Sequence, residues 1–253
     1  MATILIPLPR SGFDPTETAI PWRILNDAGH RVVFATPDGT RAQADPRMLN
    51  GHGLGPLAPL LMADRHGRSA YQLLQKEPGF RRPLSYRVIH VDDYDALLLP
   101  GGHAPGMKPY LESTLLQDAT AEFFAREKPV GAICHGVLLA ARARTGSGRP
   151  VLLGRRTTAL PAHMELLAWT LTRAWLGDYY RTYRQTVEAE VRAALADDED
   201  FIRGPLSLRR DGPDHPTLGF TVTDGHYLSA RWPGDAHRFG SEFATMCAAP
   251  PRI

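Results

Sequence analysis

Lys128-Pro-Val-Gly-Ala-Ile-Cys-His-Gly-Val-Leu-Leu-Ala-Ala-Arg142 is the stretch that most limits what this chain can fold into. Pro129 closes off whatever helix precedes it, and Val130 to Ile133 form the short apolar run of a buried strand. Gly136 follows almost at once, and from Val137 the residues Val-Leu-Leu-Ala-Ala-Arg-Ala favour helix strongly. Cys134 is therefore expected at the carboxyl end of a strand and the amino end of a helix. That is the geometry of a nucleophile elbow, in which a tight turn presents a reactive side chain. Unpaired N–H groups and the helix dipole favour negative charge there, so the thiol is expected to ionise readily. The competing reading is a buried, inert cysteine, because free cysteines are among the most buried residues.

The rest of the chain alternates strand-like and helix-like segments around that unit. Thr3 to Leu8 reads as a first, apolar strand. Asp14, Pro15 and Glu17 have the spacing of a capping box with proline at the first helical position, which gives Glu17 a capping role from spacing alone. Pro21 interrupts or kinks that helix, Trp22, Leu25 and Ala28 mark its apolar face, and Gly29 ends it. Arg31 to Thr36 is a second strand, closed by Pro37-Asp38-Gly39. Tyr94 to Leu99 is another, running into Pro100-Gly-Gly-His103, where two glycines let the backbone approach a ligand and offer N–H donors. A helix from near Ser113 carries Leu116, Ala119 and Phe123 on one face.

Arg156 to Leu160 reads as a short strand. Pro161 to Glu165 then opens a long helical region in which Tyr179, Tyr183, Val187, Val191 and Leu195 share a face at four-residue spacing. Asp224-Gly225 is a hairpin signal. A last helix after Trp232-Pro-Gly-Asp235 turns Phe239, Phe243 and Met246 inward, with Cys247 as core filling. Strands alternating with helices predict an α/β fold, a flavodoxin-like three-layer sandwich around a mostly parallel central sheet. The 253 residues suit a single domain of this kind, with inserted cap segments at about 40–90 and 168–217.

Several function classes are disfavoured. A formal net charge of +2 leaves no electrostatic footprint for nucleic acid. No apolar run approaches the roughly 20 residues that span a bilayer, and the first residues lack the pattern of a signal peptide. Two cysteines make neither a disulfide framework nor a zinc cluster, so a reducing cytoplasm is the expected compartment. His52 and His66, with Asp45 and Asp64 nearby, match no metal-binding signature, and no metal is expected. Asp197 to Asp200 reads as a solvated helix end. Arg203, Arg209 and Arg210 offer charge for an anionic substrate, but surface solvation is their expected role.

Separated features now converge. Glu17 in the first loop, Leu99-Pro-Gly-Gly-His103, Ala132-Ile-Cys-His-Gly136 and Thr223-Asp-Gly-His-Tyr-Leu-Ser-Ala-Arg-Trp-Pro-Gly-Asp-Ala236 together resemble the ThiJ/PfpI superfamily. The inserted segments look most like its Hsp31-type glyoxalase III branch. The resemblance implies that Cys134 is the nucleophile, that His135 works beside it, and that Glu17 hydrogen-bonds the sulfur. A carboxylate would repel a thiolate, so this role implies a protonated Glu17 with a raised pKa. The N–H groups of Gly102 and His135 are implied as an oxyanion hole, and Gly101 and His103 as substrate contacts.

Glu165 is the residue expected to orient His135, although Leu160-Pro161 is followed by Ala162 where related sequences carry an Asp. Its alternative role is a first-turn helix acid favoured by the dipole. His163-Met-Glu165 lacks the Pro-Cys-x-x-Cys of zinc deaminases. His215-Pro216 lacks the following acid of a class I glutamine amidotransferase.

The resemblance thus implies a cofactor-independent enzyme acting on a small reactive carbonyl such as methylglyoxal, through a Cys134 thiohemiacetal. Two alternatives stand beside it. One is cysteine-dependent hydrolysis or hydration of an amide, peptide or isonitrile. The other is a non-enzymatic oxidation sensor or stress holdase, with a Cys134 sulfinate stabilised by Glu17. A small-molecule substrate and a homodimer are implied, with neither nucleic acid nor membrane as partner.

Overall fold

Short runs of Ile, Leu, Val and Ala that are buried on both faces build the centre of the molecule, as parallel strands require. The computed structural model describes residues 1–206 and 208–249. Its strands are β1 (Thr3–Pro7), β2 (Ser11–Phe13), β3 (Arg31–Thr36), β4 (Gln43–Ala44) and β5 (Leu84–Ser85). They continue with β6 (Ala96–Leu99), β7 (Val130–Ile133), β8 (Thr221–Asp224) and β9 (Tyr227–Ala230). Seven of them form one sheet in the order β5-β3-β1-β6-β7-β9-β8. Every pairing in it is parallel except the hairpin of β8 with β9. Gly225, at φ 60°, makes the turn that Asp224-Gly225 foretells.

The helices are α1 (Pro15–Asp27), α2 (Pro46–Asn50), α3 (Ala58–Leu61), α4 (Arg65–Leu74), α5 (Pro78–Arg81) and α6 (Lys108–Leu111). The later ones are α7 (Thr114–Ala125), α8 (Val137–Arg142), α9 (Ala162–Leu176), α10 (Val187–Arg192) and α11 (Ala236–Ala248). On one face α1 packs between α4 and α11, while α7, α8 and α10 pack together. With helices on both sides of a mostly parallel sheet, the layered α/β architecture expected from the alternation is present. Small residues set the spacing of the layers. A Cβ at Gly131 of β7 would lie 2.9 Å from the Phe243 ring, and one at Gly240 would lie 3.0 Å from Pro21 Cα.

Several local expectations change. Pro21 does not interrupt α1, which continues to Asp27; Trp22 and Leu25 are buried as expected while Ala28, at its end, is exposed. Arg156 to Leu160 forms no strand: only a single bridge joins Thr157 to Phe201. The long helical region divides. Gly177, at φ 58°, ends α9, and Thr186 caps the start of α10, so Tyr179 and Tyr183 lie on the loop between them. Glycine tolerates that conformation and the helix cannot continue through it. In the segment between β3 and β6, Asp45 and Asp64 accept N–H bonds as the N-caps of α2 and α4. Among the described residues no helix is long and apolar enough to cross a membrane.

Candidate active site at the carboxyl edge of the sheet

From β1 the chain moves outward to β3 on one side, and from β6 to β7 on the other. Ligands bind at the carboxyl ends of strands where such a reversal opens a crevice. Glu17 follows β1, Gly101 and Gly102 follow β6, and Cys134 follows β7, so three separate sequence signals meet at this place.

Cys134 is held at φ 57°, in the left-handed region that costs a non-glycine residue about 1–3 kcal/mol. The turn is tight because β7 passes directly into a helical turn at Cys134–Gly136 and then α8. Gly136 permits it: a Cβ there would lie 2.1 Å from the Leu99 carbonyl oxygen. Gly101 is constrained the same way, since its Cβ would meet Glu17 Oε2 at 2.6 Å and His135 N at 2.8 Å.

Glu17 is fully buried. Its Oε2 accepts the Gly101 N–H at 3.0 Å, and its carboxyl stands beside the Cys134 side chain, with Oε1 making no hydrogen bond. Burial, followed by the charge of nearby Asp14, pushes the Glu17 pKa well up. The acid is therefore neutral, and with Oε2 occupied its proton belongs on Oε1, where it can be donated to sulfur. The capping box is half made. Asp14 accepts the N–H groups of Thr16 and Glu17, while the Asp14 N–H donates to Gly101 O rather than to Glu17.

The expectation of a readily ionised thiol is not met. Burial, and then the Glu17 carboxyl, raise the Cys134 pKa well above the ordinary thiol value of 9.0. A buried sulfur beside an acid outweighs the dipole of the short helix α8. The His135 N–H acts in the opposite direction by bonding the sulfur. The resting pair is thus a neutral thiol facing a neutral imidazole.

His135 is fully buried, and burial brings its pKa down to about 3. Its Nδ1 lies 3.5 Å from Cys134 Sγ, and its Nε2 lies 3.1 Å from Thr182 Oγ1. The Thr182 hydroxyl donates to the His103 carbonyl oxygen at 2.7 Å. Having spent its one proton there, that oxygen accepts from His135, so Nε2 carries the hydrogen and Nδ1 presents a lone pair to the thiol. Thr182 comes from the loop that the sequence reading places inside a helix. Tyr183 anchors that loop through Arg142, whose guanidinium lies 4.5 Å over the tyrosine ring, and Tyr179 anchors it by a hydrogen bond to Asp45.

Glu165 does not make the contact expected of it. One oxygen accepts the Val187 N–H at 2.9 Å, and the other faces Arg181 at 3.4 Å. Its carboxyl lines the same cavity as Cys134, with a pKa raised by burial to about 7, but the ring partner of His135 is Thr182. A lone threonine in a tyrosine-rich stretch carries no motif, and only the break at Gly177 could have pointed to the loop.

Gly102, at φ 144°, lies beside Phe13 and Asp14, and both it and His103 line the cavity. The His103 ring stacks on Tyr180 at 4.3 Å, and burial lowers its pKa to about 3. The cavity holds about 120 Å³ and is walled by leucines of α3 and α9, with Met48 and Met164. A larger groove of about 1180 Å³ near Lys128 and His226 contains none of the candidate residues.

Residues 8–205 match the family model described as ThiJ/PfpI family-like. The chain belongs to that family. A deglycase of Pyrococcus abyssi is 26% identical over 236 residues, covering 92% of this chain and 93% of the relative. Protein DJ-1 homolog D of Arabidopsis thaliana is 36% identical over 148 residues, 58% of this chain. The match spans 32% of the Arabidopsis protein's length, and 66% of that of an uncharacterised Schizosaccharomyces pombe relative. Among solved structures, glyoxalase III of Candida albicans superposes with a TM-score of 0.65 at 18% identity, over 96% of both chains, a likeness of fold.

Proposed function

We propose that this ThiJ/PfpI protein is a cofactor-independent enzyme that converts small 2-oxoaldehydes such as methylglyoxal to 2-hydroxy acids, with Cys134 as nucleophile. The observation that carries this reading is the arrangement of the thiol. Cys134 Sγ faces an imidazole nitrogen whose partner nitrogen is committed to Thr182, and the buried Glu17 carboxyl, held toward its neutral form, stands beside the thiol. The sulfur adds to the aldehyde carbon while its proton passes to His135 Nδ1, and the N–H groups of Gly102 and His135 meet the developing oxyanion. His135 Nδ1 passes that proton to the oxyanion, which gives the neutral thiohemiacetal and frees the nitrogen; it then removes the C–H proton and delivers it to the adjacent carbonyl carbon through an enediol, leaving a thioester. Water hydrolyses the thioester to release the 2-hydroxy acid and the free thiol, so the sum is oxoaldehyde plus water. A resting thiol with a high pKa suits this sequence, because the proton moves only as the carbon–sulfur bond forms.

The glyoxalase III fold likeness supports the reading, as does the small size of the cavity. The Pyrococcus relative's name favours a second reading, hydrolytic removal of a carbonyl adduct from an amine, which the same thiolate would attack. A cavity of about 120 Å³ is small for such an adduct. Wild type and Cys134→Ala are incubated with methylglyoxal without glutathione, and lactate is followed. Wild type is expected to form lactate and the variant, folded by circular dichroism, to form none. Undiminished turnover in Cys134→Ala would overturn the mechanism.

A further inference from the structure

Among the described residues, four buried side-chain atoms of residues lining the Cys134 cavity, other than carboxyl oxygens, have no hydrogen-bond partner: Arg210 Nη1, Trp232 Nε1, the Tyr180 hydroxyl and His103 Nε2. The hydroxyl and the imidazole nitrogen can each donate or accept, but Arg210 Nη1 and Trp232 Nε1 only donate, so whatever satisfies those two is an acceptor. Leaving a donor buried and unpaired costs roughly 1–3 kcal/mol, and more for a charged one. Here the two lie side by side, with the Arg210 guanidinium 5.3 Å above the Trp232 ring.

The pair is held in place. Arg210 Nη2 donates to Met62 O at 3.1 Å. The Trp232 ring occupies space that only a glycine leaves, since a Cβ at Gly234 would lie 2.3 Å from it. Next to it, the buried Arg231 makes a bidentate bond to Asp235 that fixes the end of β9. Among the described residues Arg210 is the only Lys or Arg lining the cavity, and most of the wall is leucine and methionine. Three carboxyls also line it, Asp14, Glu17 and Glu165, each held toward its neutral form by burial. The solvated role expected for Arg210 from sequence is therefore not the one it has.

We infer that Arg210 and Trp232 form a carboxylate subsite, so that the preferred substrates are short oxoaldehydes bearing a carboxylate on the same chain. The inference rests on the reading of Cys134 as the nucleophile in this cavity. Two carboxylate oxygens meet the two donors, and the carbon chain between carboxylate and carbonyl lies against the leucine wall. A carboxylate fits better than a phosphate, whose third oxygen would face apolar side chains. The cavity, at about 120 Å³, is of a size that suits a chain of a few carbons.

The test has two parts. In the first, alkylation of Cys134 by iodoacetamide is read by peptide mass spectrometry, which separates it from Cys247, in the presence of pentanoate or neutral pentanamide. Pentanoate is expected to protect wild type at least about tenfold better, and Arg210→Met is expected to abolish the difference, as a charge-assisted hydrogen bond predicts. Equal protection of wild type by the two compounds would overturn the subsite. This part needs no turnover, so it stands even if the proposed reaction fails. In the second, kcat/KM for 4,5-dioxopentanoate is divided by that for 2-oxopentanal. The ratio is expected near 10–100 in wild type and close to one in Arg210→Met. A ratio unchanged by the substitution would overturn the subsite. Should Arg210→Met fail to fold, Trp232→Phe removes one donor and keeps a ring, and its ratio is expected to fall.

Discussion

Thr182 decides which nitrogen of His135 is basic. A single hydroxyl oxygen serves as acceptor for Nε2–H because its proton is already given to the His103 carbonyl. Thr182→Val keeps the side-chain shape and removes both bonds, so Nε2 loses its partner in a buried site. The variant is expected to lower kcat by about 10- to 100-fold in lactate formation, within the range one positioned proton-transfer group contributes. Thr182→Ser, which restores the hydroxyl, is expected to recover most of that loss. If the serine variant were as poor as the valine variant, the hydroxyl would not be the cause. Glu165 is a different case. Its carboxyl bonds the amino end of α10 and faces Arg181, so it supports the loop carrying Thr182 without touching the histidine.

At the scale of elements, the elbow depends on two backbones approaching within the reach of a single methyl group. Gly136 has an ordinary helical φ of −57°, so alanine would be tolerated conformationally, and what excludes it is the backbone after β6, with the Leu99 and Pro100 carbonyl oxygens 2.1 and 2.7 Å from its Cβ. Gly136→Ala is expected to destabilise the fold by about 3 kcal/mol, at the upper end of overpacking costs, with a matching fall in the urea midpoint. A variant with the wild-type midpoint would show that β6 and β7 separate easily there. The same elements explain what could be read in advance. Ala96–Leu99 and Val130–Ile133 are legible because a strand covered on both faces is apolar throughout. Arg156 to Leu160 misleads because a short mixed run pairs only if an edge is free to receive it, and in the fold only Thr157 makes a bridge. The tyrosines at 179 and 183 keep helical spacing beyond Gly177, and spacing alone does not register a left-handed glycine. Cys134, His135 and Gly102 were legible because each sits in a short motif at a strand end, whereas spacing made Glu17 a capping residue and only the family resemblance placed it beside the cysteine. Thr182, Arg210 and Trp232 were not, because tertiary packing brings them together.

For the molecule as a whole, buried acids tie stability to pH. The pKa of Glu165 rises from 4.5 to about 7 on folding. The folded state therefore holds a proton that the unfolded chain releases, and the resulting stabilisation is complete below about pH 4.5 and lost as pH rises through 7. Buried His103 and His135 act in the opposite sense, with pKa values lowered from 6.5 to about 3, but their contribution is complete above pH 6.5. Comparing wild type with Glu165→Gln isolates the acid. The stability of wild type relative to the variant is expected to fall by about 2 kcal/mol between pH 5 and pH 8 in urea titrations. A difference independent of pH would mean that Glu165 is ionised in the folded protein throughout.

The strand order also has a consequence for a chain still being made. β7, which delivers Cys134, takes its second neighbour from β9, far downstream across the whole of α9 and α10. During synthesis the Cys134 sulfur therefore sits at the end of an open sheet edge until nearly the entire chain has emerged. Oxidants and aggregation partners meet it most easily in that interval, and arrival of the last hairpin closes the edge.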